Sequence, residues 1–143
     1  MKHVLLALVV VMEFSRIGFA QAQAPRQEMG AAADIQAVIS AQMDAFRGDD
    51  FVQAFSFAAE NIQRLFGTSD NFAVMVKRGY PMVHRAEDVR FGALRPEGNA
   101  LWQRVLVRDA QGVVHVLEYL MISDGESWRI AAVQLLQPSD VGA

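Results

Sequence analysis

Hydrophobic residues recur at two different spacings in the two halves of the chain. Between residues 34 and 81, apolar side chains return every three or four positions, which is the period of helices with one buried face. Asp34 is a suitable N-cap for the first of these helices, and Gly48 follows its end. Polar cap residues and glycines divide the rest of the stretch, so four helices are predicted at about residues 35–47, 51–58, 61–66 and 69–79.

The second half of the chain alternates apolar and polar residues and contains three turn signals. These predict four strands, at Val89–Arg95, Ala100–Arg108, Val113–Ile122 and Ser127–Leu136. Helices followed by consecutive hairpins are typical of an α+β fold, so we expect N-terminal helices packed on one face of a curved four-stranded antiparallel meander.

Closing each hairpin tightly around its turn predicts how the strands pair. A four-residue loop at Asp109–Gly112 would place Gln103 opposite Glu118, with Arg129 diagonal to Glu118, all on the face that the helices cover. These side chains have two interpretations. They form a structural ion pair and hydrogen bond, or they are the polar lining of a small-molecule pocket between sheet and helices. Gln42, on the apolar face of the first helix, has the same two interpretations: a structural hydrogen bond or part of the pocket lining.

The same register predicts a second apolar face on the sheet. It would carry Trp102, Tyr119, Met121 and Trp128, which is too apolar a surface to stand in water. A homodimer is the expected partner, because each copy brings the same patch. Cover by the chain's own arm or tail, or by a ligand or another protein, is the alternative.

The N-terminus has the pattern of a secretory leader. Lys2 and His3 precede a nine-residue apolar run, and Ala20-Gln21-Ala22 is a small-x-small cleavage signal. We therefore predict a signal peptide at residues 1–22, a flexible arm at 23–33, one domain at 34–138 and a tail at 139–143. Glu13 and Arg16 end the run too soon for a membrane span. The expected location is periplasmic or secreted, without a membrane anchor after cleavage.

Composition excludes several classes of function. The 143 residues include no cysteine, which removes disulfides, thiolate metal sites and cysteine nucleophiles. The chain has 13 basic against 16 acidic residues, and this balance argues against nucleic acid as a partner. No metal-binding or nucleotide-binding spacing occurs, so no cofactor is expected.

The segments IQAVISAQMDAFRGDDFVQAFSFAAENIQRLFG and FAVMVKRGYPMV, together with the terminal WRIAAVQLLQP, resemble the domain-of-unknown-function family 4864 of exported bacterial proteins. The residues that carry the resemblance are Asp50, Ala54-Phe55, Ile62, Phe66-Gly67, Phe72, Met75-Val76 and Gly79-Tyr80-Pro81. The resemblance covers about Asp34 to Pro138. It implies export and a nuclear-transport-factor-2-like, or cystatin-like, fold that is commonly dimeric. It implies no established activity, because proteins with that fold have many different activities.

Two function classes follow from these residues. The preferred one is an exported, non-catalytic binding or interaction domain that holds a small ligand in the cavity between sheet and helices. The alternative is a small isomerase or dehydratase, in which Glu118 would be the base and Tyr80 or His84 its partner in the cavity.

Overall fold

The computed structural model describes residues 17–137, with side chains from residue 29 onward. Five helices precede four strands along the chain. The helices are α1 (Ile17–Arg47), α2 (Phe51–Ser56), α3 (Glu60–Phe66), α4 (Ser69–Gly79) and α5 (Pro81–His84). The strands are β1 (Asp88–Glu97), β2 (Ala100–Arg108), β3 (Val114–Ser123) and β4 (Trp128–Leu135). All neighbouring strands are antiparallel in the order β1-β2-β3-β4, and the helices pack against the sheet. The predicted α+β meander is confirmed.

Helices α3 and α4 lie where the sequence predicts, whereas α2 ends two residues early and α5 was not predicted. The Asp50 carboxylate accepts a hydrogen bond from the Gln53 backbone N–H at 3.1 Å and caps α2. The Thr68 hydroxyl caps α4 in the same way, accepting from the Asn71 N–H at 3.2 Å. Gly67 ends α3 with a φ of 76°, a left-handed conformation that glycine adopts without strain.

Helix α1 extends further toward the N-terminus than expected, since it is already present at Ile17, the first described residue, and not only after Asp34. Residues 23–33, predicted as a flexible arm, are helical: apart from Pro25 and Gly30 they are Ala, Gln, Arg, Glu and Met, which favour a helix, and a helix elongates easily once it exists. Most of the predicted signal peptide, residues 1–16, and the predicted tail lie outside the described residues. Among the described helices, none is long and apolar enough to cross a membrane.

The β2–β3 connection decides which β3 side chains face the helices. The Asp109 N–H donates to the Val113 carbonyl at 2.9 Å, and the Asp109 carboxylate accepts from the Val113 N–H at 3.0 Å. The loop therefore holds five residues instead of four, and Arg108 pairs with Val114. A shift of one residue turns every side chain of a strand to the other face, so the predicted register was wrong. Leu117, Tyr119 and Met121 face the helices and are at most 1% exposed.

A bulge adjusts β4 to this register. Met121 pairs with Ile130, whereas the preceding Leu120 pairs with Ala132, so Ala131 is the extra residue. The bulge allows both Ile130 and Val133 to face the helices, although they are three positions apart and a regular strand would place them on opposite faces. A second irregularity in β1, between Phe91 and Leu94, has the same effect on that strand.

The core lies between α1 and the inner face of the sheet, which is the face that the helices cover. One side of α1 contributes Ile35, Ile39, Met43 and Phe46, all at most 2% exposed. The segment after α2 is joined to the edge strand: the Ala59 N–H donates to the Ile130 carbonyl, and the Ile130 N–H donates to the Phe57 carbonyl. These bonds fix α2 and α3 against β4, where a cavity opens.

Candidate functional site: an apolar cavity between helices and sheet

A cavity of about 370 Å³ lies between the helices and the inner face of β3 and β4. Helices α1, α3, α4 and α5 line it on one side, and Tyr119, Ile130 and Val133 line it on the other. The volume falls within the range of small-molecule sites. Leu65 forms part of the lining and is 72% exposed, so the cavity opens to the surface at α3.

Aromatic rings form much of the helical wall. The Phe72 ring is the centre of this wall, with ring centroids at 5.1 Å from Phe55, 5.9 Å from Phe66 and 6.0 Å from Phe46. Phe46, Phe66 and Phe72 line the cavity, with Phe55 behind them. Tilted rings at these separations pack favourably and hold one another in place. These contacts between rings stabilise the wall.

Polar groups reach the cavity from three side chains. Gln42 is 4% exposed, and its Nε2 donates to the Ala54 carbonyl at 3.1 Å. The Tyr80 hydroxyl donates to the Val133 carbonyl at 3.1 Å. Tyr119 is 1% exposed, and none of the hydrogen bonds among the described residues involves its hydroxyl. No lining residue in the described part of the chain is charged. Burial, with a smaller contribution from Tyr80, raises the pKa of Tyr119 far above its usual value, so the phenol stays neutral.

Two of the predicted pocket residues, Gln42 and Tyr80, line this cavity. Gln103 does face the helices, as predicted, but it lies in the solid core beside β1. Its Nε2 donates to the carbonyls of Gly92 and Arg104, both at 2.9 Å, and its Oε1 has no partner. Gln103 therefore holds the β1 bulge and does not border the cavity.

Glu118 and Arg129 are not where the predicted register put them. Glu118 pairs with Arg104 on the outer face, the side of the sheet away from the helices. Its carboxylate lies 3.4 Å from the Arg95 guanidinium and 3.9 Å from that of Arg104, and the residue is 5% exposed. Arg129 pairs with Ile122 near the last hairpin, where it contacts Asp124 and the Ser56 carbonyl. Thus the polar trio Gln103, Glu118 and Arg129 does not form.

His84, at the end of α5, is paired with a carboxylate. Its Nε2 lies 2.7 Å from an Asp49 carboxylate oxygen, and Arg85 Nη2 contacts both oxygens of the same carboxylate at 3.0 Å. The hydrogen bond from Arg85, followed by that from His84, lowers the pKa of Asp49 to about 2. The cluster joins the end of α1 to α5 and does not line the cavity. The described residues contain no group of three or more side chains suited to a metal.

The predicted dimer face divides between two sides of the sheet. Tyr119 and Met121 are core residues of the inner face, and Trp128 is half-buried against the same core. Trp102 remains on the outer face, where its indole donates to the Glu97 carboxylate and the Arg95 guanidinium lies 5.6 Å from its ring. The outer face also carries half-buried apolar side chains, namely Leu106, Val116, Leu120 and Ile122.

The sequence indicated part of this site and could not indicate the rest. The helical spacing already places Phe72, Met75 and Val76 on one face of α4, and that face lines the cavity. Tyr119 was assigned to the opposite side of the sheet, because its orientation depends on the length of one loop. No signal in the strand pattern distinguishes a four-residue loop from a five-residue loop at this place.

A comparison with models of protein families shows which family the chain belongs to. Residues 28–143 match the model described as a domain of unknown function, DUF4864. The chain belongs to this family. Searches among curated proteins and solved structures each found no match. The DUF4864 match includes every element that lines the cavity, from the described side chains of α1 to β4.

Proposed function

We propose that this DUF4864 protein is an exported, non-catalytic domain that binds a small, mainly apolar molecule in the cavity between its helices and its sheet. The observation that carries the proposal is a cavity of about 370 Å³ with an aromatic and aliphatic lining and no charged side chain among its described lining residues. Such a space loses contacts when it is empty, and an apolar ligand would restore them. Export is supported by the leader pattern of residues 1–22.

The arrangement supports binding better than acid–base catalysis. An isomerase would need a carboxylate or imidazole facing the bound molecule. Glu118 lies on the outer face, whereas Tyr80 lines the cavity on the inner side, and His84 is bonded to Asp49 at the helix ends. The proposed combinations of Glu118 with Tyr80 or His84 are therefore not formed.

Binding of a neutral, environment-sensitive fluorophore such as N-phenyl-1-naphthylamine tests the proposal. We expect the full chain to bind it saturably with a fluorescence increase. Val133→Phe would place a ring in the cavity and weaken binding at least tenfold. Val113→Phe makes the same change at a loop residue that is 52% exposed and outside the cavity, so its affinity should equal that of the wild type.

Two results would contradict the proposal: no saturable binding by the wild type, or equal affinities of the two variants. Circular dichroism melts establish that both variants fold. If Val133→Phe does not fold, Met75→Trp fills the cavity from α4 instead, since Met75 is only half-buried.

Two further features belong to the same proposal. The first is a nuclear-transport-factor-2-like fold, supported by helices that cover one face of a four-stranded antiparallel sheet. The second is a homodimer through the outer face, supported by Trp102 and the four half-buried aliphatic residues beside it. The dimer interface proposed here no longer contains Tyr119 or Met121, because both are buried in the core of one chain.

A further inference from the structure

The Tyr119 hydroxyl is a hydrogen-bond donor without a partner among the described residues, and it belongs to a side chain that is 1% exposed. A tyrosine hydroxyl in mainly apolar surroundings normally has a partner, since an unsatisfied donor there is unfavourable. Tyr119 also lines the cavity. A group in this position is suited to donate to a molecule that enters the cavity.

Each of the other two polar side chains of the cavity already donates one hydrogen bond. The Tyr80 hydroxyl donates to the Val133 carbonyl, and the Gln42 amide donates to the Ala54 carbonyl. Since a phenol has one hydrogen, the Tyr80 oxygen can only accept a further bond. The Gln42 amide has a second hydrogen, but Tyr119 is the one of these three side chains whose hydroxyl makes no hydrogen bond with a described residue.

The absence of charge in the described lining restricts the ligand further. A carboxylate, phosphate or ammonium group would lose its hydration on entering and find no opposite charge there. An uncharged oxygen, by contrast, needs only one donated hydrogen bond. The rest of the lining is hydrocarbon and aromatic, which suits a hydrocarbon body.

We propose that the cavity binds an uncharged, mainly hydrocarbon molecule with an oxygen acceptor, a carbonyl in the best case, and that the Tyr119 hydroxyl donates to this oxygen. This inference rests on the proposed function and specifies the chemical class of its ligand. Tyr119 determines specificity here and takes no part in bond making.

Fluorenone and fluorene test the inference, because they share a rigid neutral frame and differ in one carbonyl. Each is measured on the full chain by displacement of N-phenyl-1-naphthylamine. We expect the wild type to bind fluorenone more tightly than fluorene by about three- to tenfold, the value of one net hydrogen bond. Tyr119→Phe should abolish this preference and leave the affinity for fluorene unchanged.

Tyr80→Phe is the matched control, since it removes one hydroxyl from the other phenol of the cavity. Its preference for fluorenone should persist, because the Tyr80 hydroxyl already donates to the Val133 carbonyl. The ratio of the two affinities is unaffected by a general loss of stability. The melting temperature of ligand-free Tyr119→Phe is a second readout and should not fall, since no internal hydrogen bond is lost.

The outcomes separate the inference from the proposed function. Equal affinities for fluorenone and fluorene in the wild type would overturn the inference and leave apolar binding intact. A preference that survives Tyr119→Phe, or a marked fall in the melting temperature of that variant, would overturn it as well. Failure of the fluorophore itself to bind would overturn the proposed function together with the inference.

Discussion

Glu118→Gln is the substitution that best tests how burial decides the strength of an ion pair in this protein. The change keeps the size of the side chain and removes its charge. In the folded chain the Glu118 side chain is 7% exposed, and its carboxylate lies 3.4 Å from Arg95 and 3.9 Å from Arg104. The variant leaves two guanidinium groups beside a neutral amide, so we expect a loss of stability.

The magnitude follows from the geometry. Hydrogen bonds to charged groups contribute about 1.5–3 kcal/mol, but the Arg95 bond is long and its guanidinium side chain is half exposed, which reduces the expected loss to about 1–2 kcal/mol. For a chain of 143 residues this corresponds to a fall in melting temperature of about 3–8 °C.

Asp88→Asn provides the matched control. Asp88 and Arg90 form a shorter pair, at 3.2 Å, yet their side chains are 41% and 80% exposed. Solvent screens such a pair, so the same loss of charge should lower the melting temperature by less than about 2 °C. Distance alone would predict the opposite order of the two effects.

Thermal unfolding followed by circular dichroism, in low salt and in 1 M NaCl, measures both variants. Salt should remove the small effect of Asp88→Asn and retain most of the effect of Glu118→Gln, since buried pairs are screened less. If Asp88→Asn lowers the melting temperature as much as Glu118→Gln, the reasoning from burial is refuted. A double-mutant cycle with Arg95→Gln then isolates the pairwise energy.

Three further predictions concern other parts of the chain. Asp49→Asn should make the stability of the protein less sensitive to acid. Pairing with Arg85 lowers the pKa of Asp49 from 3.8 to about 2. The stabilisation by this ion pair is therefore complete above about pH 4 and is lost as the pH falls toward 2. Melts at pH 5 and pH 2 check this, and parallel falls in wild type and variant would contradict it. Trp102→Glu should convert the proposed dimer to a monomer, as measured by light scattering. A wild type that is itself monomeric at high concentration would contradict the proposed dimer. Expression in a bacterial host should yield a chain that begins directly after Ala22, and a secreted fraction that retains Met1 would disprove the predicted cleavage.

The positions of most elements follow from local chemistry. Thr68 caps α4 and Gly67 ends α3 through bonds that involve neighbours within a few residues, and the sequence indicates both. The strands appear within about two residues of their predicted ends, because alternation and turn residues are local signals as well. Helix α1 is the exception at the N-terminus, since its extension through residues 23–33 depends on propensity without an apolar period.

The candidate site was predicted in part, at positions on the helices or at their ends, such as Tyr80. Gln42 and the Phe72 face of α4 lie at the cavity as their helical positions suggest. Tyr119 and Glu118 exchanged sides relative to the prediction, since the Asp109 side chain holds one more residue in the β2–β3 loop. One additional loop residue moved a tyrosine from a proposed dimer surface into the proposed binding cavity.

The sequence by itself determined the family, the α+β class and the order of four helices and four strands, because these depend on periodicity, caps and turn residues within short windows. Only the tertiary structure decided which face each strand presents, where the cavity lies and which polar groups reach it. The physical reason is the period of two in a strand: a single residue added at a loop or a bulge, such as Ala131, reverses the side on which every following residue lies. In the β2–β3 loop the extra residue is held by hydrogen bonds between Asp109 and Val113, and the alternation of hydrophobic and polar residues does not record them.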